Sequence, residues 1–231
     1  MEQLLTSQFW LGLGTIIWVN IILSGDNAVV IALAARSLPE RQQKLAIFWG
    51  AGAAVVLRVL LTIVAVKLLE FPYLKLVGGA ALLWIAVQLL IPEKGGEGEV
   101  KSSAHLVDAI KTILVADLIM SIDNVIAVAA AAQGSLLLLV LGLIISIPLV
   151  VFGATMLMTL MERYPVIITL GAAILGWTAG EMAVTDPAVT GWIRANMNWL
   201  ESFHIAPLLG AVAAVGLGKW LASRKRTEEG R

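Results

Sequence analysis

The sequence predicts an all-α polytopic membrane protein of seven transmembrane helices, built as two inverted three-helix repeats plus a seventh helix. Three observations predict it. Hydrophobic residues make up 59% of the 231 residues against 14% charged, and the mean hydropathy is +0.92, with far too little charge for a water-soluble domain of this length. Apolar runs near the roughly 20 residues that cross a bilayer recur along the whole chain. A polar motif, Ser-x-Asp-Asn, interrupts two of these runs in matching places.

In chain order the runs cover residues 8–35, 45–69, 73–91, 107–132, 135–161, 165–183 and 206–222. The first follows "MEQLLTSQFW", which has no positive n-region, so it reads as a retained helix and not a cleaved leader. It ends at "ARSLPERQQK", a charged turn containing Pro39. The third ends at "PEKGGEGEVKSSAH", Gly- and charge-rich and the one linker-like stretch. Pro148 is expected to kink the fifth. Between the sixth and seventh, "VTDPAVTGWIRANMNWLESF" is too polar to cross, and Trp192, Trp199 and Phe203 suggest a segment lying at the interface. The chain is then one membrane domain, with a first repeat at 8–91, a second at 107–183 and a seventh helix at 206–222.

Lysine and arginine placement sets the orientation. Arg36, Arg41, Lys44, Lys94, Lys101, Lys111, Arg163, Lys219, Arg224, Lys225, Arg226 and Arg231 fall on one side, Lys67, Lys75 and Arg194 on the other, and Arg58 inside a span. The N-terminus is therefore expected outside and the C-terminus, anchored by "SRKRTEEGR", in the cytoplasm. A retinal protein is excluded, because the seventh span offers only Lys219, near its cytoplasmic end. Zero net charge argues against a nucleic-acid partner, and the lack of cysteine removes disulfides, thiolate metal sites and thiol catalysis. Both histidines, His105 and His204, fall in stretches that read as polar connections.

The repeat is visible by sliding the chain on itself. A shift of 97 lays Ser24, Asp26 and Asn27 on Ser121, Asp123 and Asn124; a shift of 93 lays Pro72, Gly78, Leu82 and Trp84 on Pro165, Gly171, Leu175 and Trp177. Three spans per unit is an odd number, so the second unit crosses in the opposite sense. Such repeats are a transporter architecture, with the site near the midplane between the halves.

Asp26, Asp117 and Asp123 all lie inside spans. A charge there costs on the order of 2.5–3.5 kcal/mol, so each acid needs a cation, a proton or Arg58. One arginine cannot serve three acids, and protonated carboxyls bonded between helices are the other structural reading. The functional reading is a cation site of Asp26, Asn27, Asp117, Asp123 and Asn124, supported by Ser24, Ser121, Asn20, Arg58 and Glu181. Asp117 and Asp123 lie about 120° apart on a regular helix, so sharing one ion requires distortion near Met120-Ser121; Gly25 would permit the matching break in the first repeat. Oxygen donors without thiolate or imidazole suit Mn²⁺, Mg²⁺ or Ca²⁺ and disfavour Zn²⁺ or Cu⁺; Met120 would add a softer donor, though packing is its commoner use. Gln88 and Glu181 hold aligned places near the ends of the third and sixth spans.

"SGDNAVVIALAARSLP" and "DLIMSIDNVIAVAAA" resemble the TerC family of bacterial membrane proteins, over both three-helix units and nearly the whole chain. The resemblance implies a multi-pass protein of the bacterial inner membrane and, from members similar to manganese exporters, outward transport of Mn²⁺. It points to Asp26 and Asn27 in the first motif and to Asp117, Asp123 and Asn124 in the second. Asn20 stands where symmetry would put a partner for Asp117, so the first repeat has one acid fewer. The expected partners are a divalent metal ion as substrate, protons as coupling ions and the lipid bilayer. No cofactor or enzyme activity is expected, and assembly into a homo-oligomer stays open. Transport of Ca²⁺, Mg²⁺ or a solute, and a membrane scaffold in tellurium or envelope-stress response, are the competing readings; an intramembrane hydrolase lacks the further catalytic signature it would need.

Overall fold

A computed structural model describes residues 7–68, 71–91, 99–132, 135–229. Among them every regular element is a helix: α1 (Ser7–Leu23), α2 (Gly25–Ala35), α3 (Glu40–Leu68), α4 (Leu74–Leu90), α5 (Glu99–Ala132), α6 (Leu136–Arg163), α7 (Val166–Thr185), α8 (Thr190–Asn196), α9 (Trp199–Ser202) and α10 (Ile205–Glu229). Four stretches are long and apolar enough to cross a membrane: Glu40–Thr62, Leu136–Arg163, Val166–Thr185 and Ile205–Lys225. The pair Phe9–Leu23 and Gly25–Ala35 makes a fifth if its two halves are one span. The 17-residue α4 is apolar but shorter, and the long α5 carries Asp117 within it.

The two helices of the α1–α2 pair are bent by 51° at their junction. Ser24 sits at the break with φ −105° and ψ 4°, and its carbonyl already accepts from Ala28 N–H at 2.9 Å. Gly25 opens α2 without a left-handed backbone and faces open space, so the bend does not depend on glycine's extra freedom. The second motif does not break in the same way: α5 runs unbroken through Met120 and Ser121, against the distortion expected there. An intact i→i−4 ladder runs through SIDN, whereas SGDN gives up that ladder at Ser24. His105 also departs from expectation, lying inside α5, while His204 occupies a turn with φ 52°. Residues 92–98 of the expected linker lie outside the described residues.

Local chemistry explains the other boundaries. Pro39 precedes α3, its carbonyl accepting from Gln42 and Gln43 N–H, and Glu40 places a negative charge in the first turn, where the helix dipole favours one. Ser135 caps α6 by accepting from Leu138 N–H at 3.3 Å. α6 continues through Pro148 without interruption. The stretch expected at the interface folds as the short α8 and α9, with Trp192, Trp199 and Phe203 exposed.

Lipid tails are as apolar as leucine, so close packing and not the hydrophobic effect must hold the helices together. α7 and α10 meet through Gly176, Gly180 and Gly210; a Cβ at any of them would run into the other helix's backbone. α3 packs on α5 with Gly50 against Ile113, and α6 packs on α1 and α2 with Gly142 against Ile16. α2 lies at the centre, where every residue from Asn27 to Ala35 is buried. Outward-facing Trp10, Trp18, Phe48, Trp84 and Phe152 present a large apolar exterior.

Candidate functional site

The polar residues of the interior separate into two groups on either side of the α1–α2 break. The inner group is organised by Arg58 of α3, which is only 3% exposed. Its guanidinium forms an ion pair with Asp117 Oδ1 at 2.5 Å. It also donates to Asn20 Oδ1 at 2.6 Å, Ser24 Oγ at 3.2 Å and Ser121 Oγ at 3.1 Å. Ser121 in turn donates to Asp117 Oδ2 at 3.1 Å, and Asn20 donates to Ser146 Oγ of α6, which donates to the Leu143 carbonyl at 2.7 Å. The planar fork of arginine lets one side chain serve α1, the break and α5 together. A charge pair this deep persists only when both members are neutralised and bonded, and here both are.

Asn27 lies beside this network and does not join it. Its Nδ2 and Oδ1 are buried with no hydrogen-bond partner among the described residues. Together with Asn20, Ser24, Arg58 and Asp117 it lines a cavity of about 20 Å³, about the space of one water molecule.

The outer group lines a cleft of about 390 Å³ bounded by Leu23, Asp26, Lys75, Met120, Asn124, Thr178, Glu181, Met182 and Thr185. The break creates its floor. Ending α1 at Leu23 frees that residue's carbonyl, which accepts from Asn124 Nδ2 at 3.2 Å. The amide nitrogen is engaged there, so Oδ1 is the atom Asn124 can offer to the cleft. Asp26 stands in the first turn of α2, half-buried, with its Oδ1 accepting from Asn27 N–H at 2.8 Å. The positive end of the α2 dipole favours its charge. Glu181, on the last turns of α7, supplies a second carboxylate nearer the mouth, and Met120 a thioether within.

The five expected ligands are thus not gathered at one point. Asp26 and Asn124 share the cleft, Asp117 is paired to Arg58, and Asn27 faces the small cavity. Asp123 belongs to α5, but its side chain lies outside the described residues. Among the described residues no three His, Cys, Asp or Glu side chains converge. Of the supporting residues, Ser24, Ser121, Asn20 and Arg58 form the inner network, and Glu181 joins the cleft.

Sequence reasoning missed Asp186. This carboxylate, fully buried just after α7, accepts from the N–H groups of Tyr73, Lys75 and Leu76 at the start of α4 and from Ala188. Burial would raise its pKa, but the four backbone donors outweigh that and hold it below the usual carboxylate range. It fastens α4 to α7 at the cleft's mouth and lets Tyr73 adopt its left-handed φ of 69°. "TDP" was its signal, an Asp-Pro turn at the end of a span. Lys75, read only as a topological charge, lines the same mouth.

The family model that matches the chain, over residues 5–227, is "Integral membrane protein TerC family". "Uncharacterized membrane protein YjbE" of Bacillus subtilis (strain 168) is 46% identical over 178 residues, covering 77% of this chain and 81% of the relative. "Uncharacterized membrane protein YkoY" of the same organism is 25% identical over 252 residues, covering 100% of this chain and 78% of the relative. "UPF0053 inner membrane protein YgdQ" of Escherichia coli (strain K12) is 27% identical over 183 residues, covering 72% and 77% respectively. No solved structure matches the chain. On the family match and on the Bacillus relative alike, the chain belongs to the TerC family of integral membrane proteins.

Proposed function

We propose that this protein is a secondary transporter that exports a divalent metal cation, Mn²⁺ by its donor set, across the bacterial inner membrane in exchange for protons. The carrying observation is the cleft that reaches the broken first span, lined by the carboxylates of Asp26 and Glu181, the Asn124 amide and the Met120 thioether. Carboxylate, amide and carbonyl oxygens attract hard divalent ions, and a thioether favours Mn²⁺ over Mg²⁺ and Ca²⁺. Asp123, the residue before Asn124 in α5, is the remaining acid of the expected set, and its side chain lies outside the described residues.

The reading rests on a seven-span arrangement with the N-terminus outside, α1 and α2 counting as one span and α8 and α9 lying at the interface. Paired packing supports two inverted repeats. Ile16 meets Gly142 and Ile113 meets Gly50, so the first helix of each unit packs on the second helix of the other at corresponding positions. In this orientation the cleft opens outward, with Lys75 at its mouth. A fixed positive charge there lowers cation affinity on the outer side, which suits release. Moving a divalent cation outward against an inside-negative potential costs about 4.6 kcal/mol per 100 mV, twice the single-charge figure. Incoming protons return that work, and carboxylates that alternate between metal and proton couple the two flows. No enzyme activity enters the proposal.

The test is transport by the full chain reconstituted in liposomes with a trapped Mn²⁺-quenched dye. Mn²⁺ flux that grows with an imposed pH gradient and collapses in Asp26→Asn is expected. Flux indifferent to the gradient removes proton exchange. Preference for Ca²⁺ or Mg²⁺ removes the manganese assignment, and no flux of any divalent ion, with stable co-purifying partners, points instead to a scaffold.

A further inference from the structure

Away from the cleft, at the end of the bundle where α4 stops and α10 finishes, α4, α5 and α10 enclose a second pocket of about 350 Å³. Its lining changes character along the helix axes. Trp84 and Val115 lie at the inner level and are 62% and 44% exposed on the lipid-facing side. One turn nearer the end come Gln88 on α4 and Lys111 and Thr112 on α5, and Lys225 of α10 closes the rim. α4 and α5 run in opposite directions here, so the change from apolar to basic is ordered along the membrane normal, about 6 Å per four residues. Asp108, exposed, stands 3.8 Å from Lys111 across one helical turn, a pair worth little at such exposure.

We propose that this pocket binds an anionic phospholipid. An acyl chain lies along Trp84 and Val115, and the phosphate is held by Lys111 and Lys225 with Gln88 donating to it. An apolar wall leading to two ammonium groups matches an amphiphile with a negative head. Basic pockets between spanning helices on the cytoplasmic side commonly take such lipids, and the abundance of Lys and Arg at this end is what places it on that side. The proposal does not depend on which ion the protein moves.

The experiment titrates delipidated full-length protein in detergent with dioleoyl phosphatidylglycerol, dioleoyl phosphatidylcholine or inorganic phosphate, reading thermal stability and lipid adducts by native mass spectrometry. Phosphatidylglycerol is expected to raise the melting temperature and remain bound, while phosphatidylcholine and phosphate do neither. Lys111→Gln with Lys225→Gln should weaken phosphatidylglycerol roughly 25-fold, taking each juxtamembrane lysine at its usual worth. Lys219→Gln, in the neighbouring basic notch with Arg36 and Ser223, should leave it unchanged. The proposal is overturned if the double variant titrates like the wild type, or if Lys219→Gln has the larger effect. Equal stabilisation by phosphatidylcholine, or full stabilisation by phosphate alone, overturns it as well.

Discussion

Replacing Arg58 with methionine should be among the most damaging single changes in the chain. The substitution keeps an unbranched side chain of similar length and removes four hydrogen bonds, to Asp117, Asn20, Ser24 and Ser121. Asp117, 6% exposed, is left with Ser121 alone. Removing one partner of a buried ion pair costs about 3–5 kcal/mol, because the remaining charge has no counter-ion. Asp117→Asn should cost a similar amount by stranding the guanidinium. Removing both charges leaves only neutral partners short of bonds, at about 1 kcal/mol each. The double variant should therefore be far more stable than additivity predicts, with a coupling energy of about 3 kcal/mol or more. Unfolding of all four proteins by sodium dodecyl sulfate in mixed micelles measures it. Arg58→Lys sharpens the test, since an ammonium keeps the charge but cannot span three helical segments with a planar fork, and should recover only part of the loss. Additivity to within about 0.5 kcal/mol would refute the reasoning.

Asp186→Asn should lower the melting temperature at pH 6–7 by weakening charge-assisted bonds to four backbone donors. Because the folded pKa is depressed, this contribution is complete above the unfolded value of about 3.9 and disappears as pH falls through the folded value. The gap between wild type and variant should therefore narrow below about pH 4 in melts run from pH 3 to 7, and a constant gap contradicts it. Gly180→Ala should separate α7 from α10 and cost about 1–3 kcal/mol as overpacking against rigid backbone; an unchanged unfolding midpoint would show that the helices yield. Asn27→Leu should leave stability unchanged or raise it by about 1–2 kcal/mol, since it exchanges a buried amide lacking protein partners for an apolar group. A large loss of stability in the same unfolding assay would count against this.

Legibility divided along physical lines. The all-helical membrane class was readable because hydrophobic length is set by bilayer thickness, a constraint that acts on composition alone; of the seven expected spans, the described residues give four, or five with the bent pair. The duplication of Ser-x-Asp-Asn was readable for the same reason, as polar groups stand out where water is absent. The bend was assigned to the right turn but to the wrong residue: Gly25 permits an unusual backbone, while Ser24 is where the ladder breaks, and a glycine's freedom shows in sequence whether or not it is used. The partners of Asp117 and Asp186 were harder to see. Arg58 lies 59 residues from Asp117, and Asp186 is 113 from Tyr73. Arg58, the one cation placed inside a span, was an evident partner for an acid, but nothing in the sequence says which of Asp26, Asp117 and Asp123 it pairs with. Asn124 illustrates the limit: helical periodicity puts it on Asp117's side of α5, yet seven residues of rise, about 10 Å, carry it past the Arg58 network to the cleft.

In the proposed inverted repeat Asn20 corresponds to Asp117, and both contact Arg58, which comes from α3 and has Val150 near the corresponding place in α6. The asymmetry is therefore shared: one unit contributes the arginine, the other the aspartate, and Asn20 accepts from the arginine without adding a second negative charge. Two aspartates around one guanidinium would leave a net buried charge costing several kcal/mol; asparagine avoids it. A neutral, fully bonded pair makes Asp117 poor at attracting metal in this conformation. On the proposed transport function, Asp26, at the start of α2 and open to the cleft, is the carboxylate a cation would meet first. Asp117 would enter an ion's path only if Arg58 let go, so metal affinity in the inner network and integrity of the ion pair would exclude one another. Replacing Asp26 should thus abolish binding at the cleft while leaving the unfolding midpoint near wild type, whereas replacing Asp117 should lower the midpoint and leave binding at the cleft intact.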